Sequence, residues 1–111
     1  GDISKLRGNT SAVTVNTEGS EVPPNQPSSG CAGVDYARIL DDESDWTVFR
    51  NDWPWDHVPG LLMVEEAGGQ TGRPSGDPYD PRFRERWIIG AASRETFDAV
   101  ARVMQQTIAL A

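Results

Sequence analysis

Apolar residues recur along the chain in short groups separated by stretches rich in Gly and Pro, a pattern of helices alternating with short buried strands. Ala12-Val13-Thr14-Val15-Asn16-Thr17 is dense in β-branched residues and predicts a strand. Glu18 to Gly30, with Pro23, Pro24 and Pro27 ahead of Ser28-Ser29, predicts a loop. From Cys31 the pattern changes: Ala32, Val34, Ala37, Ile39 and Leu40 form an irregular apolar stripe compatible with a helix ending near Asp41 to Ser44. Trp46-Thr47-Val48-Phe49 reads as a short strand, and Asn51 to Asp56 as a turn into a second helix. That helix is expected from about Asp56 to Ala67, with Pro59 tolerated in its first turn and Gly68-Gly69 ending it and reversing the chain towards a strand. After a Gly/Pro-rich loop over 72–81, Trp87-Ile88-Ile89-Gly90-Ala91 is the clearest buried strand. Ser93 then caps a final helix to about Leu110, with Phe97, Val100, Ala101, Met104, Ile108 and Leu110 on its inner face. No internal repeat is present, and the alternation predicts an α/β layered domain, a small sheet packed by helices.

Composition narrows this picture. A chain of 111 residues supports one small domain with a thin core. The net charge of −7 argues against a nucleic-acid partner, because Lys and Arg are scattered. Arg82, Arg84 and Arg86 alternate as one solvated side of an extended segment would. The single cysteine, Cys31, rules out an internal disulfide, which makes a reducing compartment, the cytoplasm, the expected address. Ser28-Ser29-Gly30-Cys31 has no apolar run before it and is not read as a lipoprotein cleavage site; no stretch is apolar enough to span a membrane. Trp46, Trp53 and Trp55 lie within ten positions, and such a cluster is expected to be core, including packing that positions Asp56.

Candidate chemistry concentrates in Pro54-Trp55-Asp56-His57 and the run that follows it to Gly69. Asp56 stands at the start of a helix, where the positive end of the helix dipole keeps a carboxylate ionised and available as a hard oxygen ligand. Physical chemistry alone favours a plainer role for it, an N-cap on a packed helix. Gly60 would allow a neighbouring backbone to approach closely.

This stretch resembles the C-terminal signature of the inositol monophosphatase family: a Trp-Asp, small residues and a Gly, then an apolar run closing on Glu66-Ala67-Gly68-Gly69. Gly30-Cys31-Ala32-Gly33-Val34-Asp35 is similar to the start of a family helix. Gly76 with Pro78-Tyr79, and Trp87 to Ala92, resemble its glycine turn and last strand. The resemblance covers roughly Gly30 to the C-terminus. It divides the chain into an N-terminal strand and Pro/Ser-rich loop (1–29) and an α/β C-terminal subdomain of a sugar-phosphatase fold (30–111). It implies a Mg²⁺-dependent phosphomonoesterase acting on a small phosphorylated alcohol or sugar by a two-metal displacement. In it the residue matching Asp56 ligates a metal and orients a substrate hydroxyl, and the segment matching Cys31 and Ala32 faces the substrate at a helix N-terminus.

The same resemblance implies ligands that this chain lacks. The family's Gly-Glu-Glu and Asp-Pro-x-Asp-Gly-Thr segments belong upstream of Gly30, and neither occurs. Asp77-Pro78-Tyr79-Asp80 imitates the second motif in the wrong place, without the Gly-Thr, and reads as a turn. One carboxylate cannot hold Mg²⁺ pairs, so the chain by itself is expected to be inactive, a C-terminal part whose catalytic half lies elsewhere. Isolated copies are expected to pair as homodimers or to expose apolar surface. Phe49, seven positions before Asp56, stands where inositol-specific members carry an acid, which argues against inositol monophosphate as substrate.

Other polar residues have plainer roles. His57, the only histidine, has no visible partner for general-base work and is assigned to the helix surface or to supporting a ligand. Cys31 reads as a small helix-start residue, Glu65 and Glu66 as packing or surface groups, and Asp41, Asp42, Glu43 and Asp45 as a solvated acidic run. The competing function is a binding or assembly module that keeps the fold without the metal site.

Overall fold

The computed structural model describes residues 7–10, 26–27, 32–50, 53–83 and 86–110. The strand expected over Ala12–Thr17 and the candidate residue Cys31 lie outside them. Five strands and three helices follow in order: β1 (Gly8–Thr10), β2 (Gln26–Pro27), α1 (Ala32–Leu40), β3 (Trp46–Phe49), α2 (Pro54–Glu66), β4 (Gln70–Gly72), β5 (Ile88–Ala91) and α3 (Arg94–Leu110).

The strands form one mixed sheet in the order β2-β1-β3-β5-β4. β1 runs parallel to β2 and β3, while β3–β5 and β5–β4 are antiparallel, with Val48 opposite Ile89 and Thr71 opposite Gly90. All four positions of β3 and of β5 are buried. This burial on both faces explains why their sequences are largely apolar rather than alternating between apolar and charged residues. Trp46, Val48, Ile89 and Ala91 pack with Phe97, Val100 and Met104 of α3 on one face. Phe49 and Ile88 pack with Tyr36 and Ile39 of α1 and Leu61 and Val64 of α2 on the other. The fold is therefore the predicted α/β layering, with each fully buried aliphatic side chain contributing about 1.5–3 kcal/mol.

Local chemistry sets the helix ends. Ser93 Oγ accepts the Thr96 N–H at 3.1 Å and caps α3, as the sequence predicts. α2 begins two residues earlier than expected because Pro54 can occupy its first turn, where a missing N–H costs nothing, so Pro59 sits inside the helix rather than at its start. Its end follows expectation: Gly68, at φ +92°, takes the left-handed conformation, and Gly69 N–H returns to Val64 O at 2.9 Å. The strand expected from Trp87 begins at Ile88; Trp87 itself has φ +75°. β1 lies within a stretch that carried no strand signal, and it is tied to β3 by Arg7, whose N–H donates to Asp45 Oδ2 at 2.7 Å. Asp45 thus has a specific partner rather than belonging only to a solvated run. Side-chain hydrogen bonding to Asp45 is the first cause of the Arg7 guanidinium's raised pKa.

Candidate functional site

α1 and α2 flank β3 through short connections, residues 41–45 before it and 50–53 after it. Both helices therefore run against β3 and start at the end of the sheet where β3 finishes. That common end carries Ala32, the first residue of α1, and Asp56, in the first turn of α2.

Asp56 is exposed, and its N–H donates to Trp53 O at 3.0 Å as part of the turn that opens α2. Its side chain is not the N-cap; Trp53 occupies that position with no side-chain cap. The carboxylate therefore stays clear of the local backbone, in the favourable field of the helix start. Ala32 is half-buried against the Tyr36 cluster, so the start of α1 is anchored by packing.

His57 is not on the helix surface. It is 3% exposed, and its Nδ1 lies 2.8 Å from Tyr36 Oη in a buried hydrogen bond. Burial, with lesser contributions from Tyr79 and Asp35, pushes the Tyr36 hydroxyl far above the usual tyrosine range. The phenol therefore keeps its proton, and with the imidazole proton on Nε2 it donates to Nδ1. Phe49 closes the group, with ring centroids 5.2 Å from Tyr36 and 4.8 Å from His57. The burial was legible in principle, since 57, 60, 61 and 64 share one helical face.

Phe49 itself is 5% exposed, beneath the start of α2. Its ring is part of the core, and a phenyl ring offers no acceptor oxygen for a substrate hydroxyl. The tryptophan cluster also divides. Trp46 is fully buried, whereas Trp53 and Trp55 are 41% and 71% exposed and stack on each other at 4.8 Å. Trp55 lies two positions before His57, about 200° around the helix and so away from the buried face.

The remaining polar candidates are engaged elsewhere. Thr71 Oγ1 donates to Glu65, linking the end of α2 to β4. Asp77–Asp80, expected as a turn, is instead an irregular segment between two turns, closed by Gly76 N–H to Arg73 O and by Phe83 N–H to Asp80 O. There Asp80 accepts from Arg82 Nε at 3.0 Å and Nη2 at 2.8 Å, and its carboxyl is held down to about 2, with the Arg82 side-chain hydrogen bond the first cause. Arg82 lies in this turn and not on an extended segment. Among the described residues no three His, Cys, Asp or Glu side chains converge as a metal cluster, and no helix is long and apolar enough to cross a membrane. Asp56 therefore offers the right donor for a hard cation, an exposed anionic oxygen, but only a fraction of the coordination shell that Mg²⁺ requires.

The sequence profile of the inositol monophosphatase family matches residues 5–109, which includes β1 and β2 as well as the signature. A search of curated proteins finds no match. Among solved structures, an inositol monophosphatase from Anabaena (Nostoc) is similar with a TM-score of 0.74 at 24% identity, over 95% of this chain and 45% of that one. The extragenic suppressor protein SuhB from Bartonella henselae gives 0.75 at 21% identity, over 94% and 44%. The Thermotoga maritima inositol monophosphatase gives 0.69 at 22% identity, over 95% and 44%. The likeness at these identities is one of fold, and the chain spans less than half the length of each.

Proposed function

The chain belongs to the inositol monophosphatase family, and from that premise we propose that it forms the C-terminal part of a Mg²⁺-dependent phosphomonoesterase acting on a small phosphorylated alcohol or sugar. The observation that carries this reading is Asp56: an exposed carboxylate in the first turn of α2, within the family-matched stretch, followed at once by a buried and hydrogen-bonded His57. Asp56 would supply one anionic ligand and receive a substrate hydroxyl. The start of α1 at Ala32, with Cys31 before it, would face the same substrate with backbone N–H groups. Bound Mg²⁺ would supply an activated water and stabilise the departing oxygen. The other carboxylates would come from a segment carrying Gly-Glu-Glu and Asp-Pro-x-Asp-Gly-Thr.

Supplying such a segment in trans tests the reading. The expected outcome is Mg²⁺-dependent release of phosphate that neither polypeptide gives alone, unaffected by Glu65→Gln. No release from any combination would count against the enzyme reading. One observation favours the alternative of a binding module: the exposed Trp53–Trp55 stack beside the site. On that reading Trp55→Ala abolishes capture of a partner, and phosphate release is absent in every context.

A further inference from the structure

We propose that Tyr36 and His57 are positioning residues that fix Asp56 relative to the start of α1; the inference rests on the reading of Asp56 as a metal ligand. His57 follows Asp56 directly, so whatever holds its ring holds the backbone from which the Asp56 carboxylate projects. Tyr36 and Phe49 hold it, and Gly60 in turn holds Tyr36. The imidazole meets Tyr36 Oη at 2.8 Å, and Phe49 lies against it at 4.8 Å. One turn further along α2, Gly60 leaves its space to the Tyr36 ring: a Cβ there would fall 2.2 Å from Tyr36 Cδ2. Tyr36 in turn is one turn from Ala32, and it is completely buried. The hydrogen bond is therefore a polar link between the opening turns of two helices that also meet through rings and glycine. Apolar packing alone tolerates sliding and rotation of helices, whereas a buried donor–acceptor pair has one register in which both groups are satisfied. A site assembled from two helix starts needs that register, because misplacement of a ligand by about 1 Å is costly to function.

Mn²⁺, added to the isotope-labelled chain together with a segment carrying Gly-Glu-Glu and Asp-Pro-x-Asp-Gly-Thr, is the probe, because Asp56 alone offers only part of a coordination shell. Bound at Asp56, it broadens the amide resonances of residues 55–57 and, across the helix pair, those of residues 32–35. The broadening falls with the sixth power of distance, so the ratio between the two groups reports the spacing of the helix starts. A displacement of about 1 Å across the roughly 10 Å between neighbouring helix axes changes that ratio roughly twofold. Tyr36→Phe is expected to shift the ratio by this amount at a temperature where the variant remains fully folded. His57→Asn, whose side-chain oxygen can stand near the place of Nδ1, is expected to keep the ratio closer to wild type than His57→Leu does. A lower melting temperature with an unchanged ratio in Tyr36→Phe would reduce the pair to a structural contact and overturn the proposal. A Mn²⁺ affinity left unchanged by Asp56→Asn would instead overturn the metal-ligand reading itself, and the positioning role with it.

Discussion

Gly60→Ala is the sharpest probe of the α1–α2 contact, because two large effects of opposite sign compete there. Alanine is the better helix former by about 1 kcal/mol, so an open position would gain stability. At Gly60 the new methyl would lie 2.2, 2.7 and 3.0 Å from three carbons of the Tyr36 ring, against an ordinary carbon contact of about 3.5–4.0 Å. The ring or the helix must therefore move by more than about 1 Å. The ring has nowhere to go: it is fully buried, packed on Phe49, and held at its far end by His57. Overpacking of this kind costs about 1–3 kcal/mol, and weakening the Tyr36–His57 hydrogen bond adds up to about 1–3 kcal/mol. The net expectation is a loss of about 1–5 kcal/mol, or ~4–20 °C in melting temperature for a domain of this size. Urea unfolding followed by circular dichroism measures it, with Tyr36→Leu as the partner in a double-mutant cycle. Once the ring is truncated, Gly60→Ala should become neutral or stabilising. A Gly60→Ala variant as stable as wild type would refute the close approach of the two helices.

Three further outcomes follow from the same geometry. Tyr36→Phe, which removes the hydroxyl that meets His57, should cost about 1–3 kcal/mol in urea unfolding, and adding His57→Leu should recover much of it, because replacing both polar partners restores an apolar fit. Trp46→Ala should cost about 3–5 kcal/mol, whereas Trp55→Ala, at a position 71% exposed, should stay within about 0.5 kcal/mol of wild type. By NMR, the Asp80 carboxyl should titrate near 2 and move up towards 3.8 in Arg82→Gln. The sign follows: a depressed carboxyl contributes stability above its unfolded pKa, and that contribution fades as the pH falls from about 3.8 towards 2.

Long periodic segments were legible in the sequence, and short ones were not. α3 announces itself by Ser93 and by Phe97, Val100, Ala101 and Met104 at helical spacing. α2 is marked by Pro54 ahead of an apolar run and by Gly68-Gly69 behind it. β1 and β2, of three and two residues, are too short for any period to show, and pairing in the sheet decides them. At the site, Asp56 could be singled out by its signature, but its surroundings depended on which way neighbouring residues face. Helical geometry places Trp55 and His57 on opposite sides of α2, so a tryptophan expected in the core is exposed, and His57, expected at the helix surface or supporting a ligand, is buried. Phe49 was placed by its spacing from Asp56, while the double-sided burial of β3 put it underneath. Tyr36 carried no signal as a partner of His57, since the two residues are 21 positions apart in sequence and meet only through the packing of two helices.

The phosphatase reading rests above all on Asp56 as a metal ligand. The direct test is the rate of phosphate release as a function of Mg²⁺ concentration, for wild type and Asp56→Asn, in the phosphatase restored with its complementary carboxylate segment. The expected result is a Mg²⁺-dependent wild-type rate and a loss of at least ~100-fold in the variant at every Mg²⁺ concentration. An Asp56→Asn variant with the wild-type rate and the wild-type Mg²⁺ requirement would contradict it.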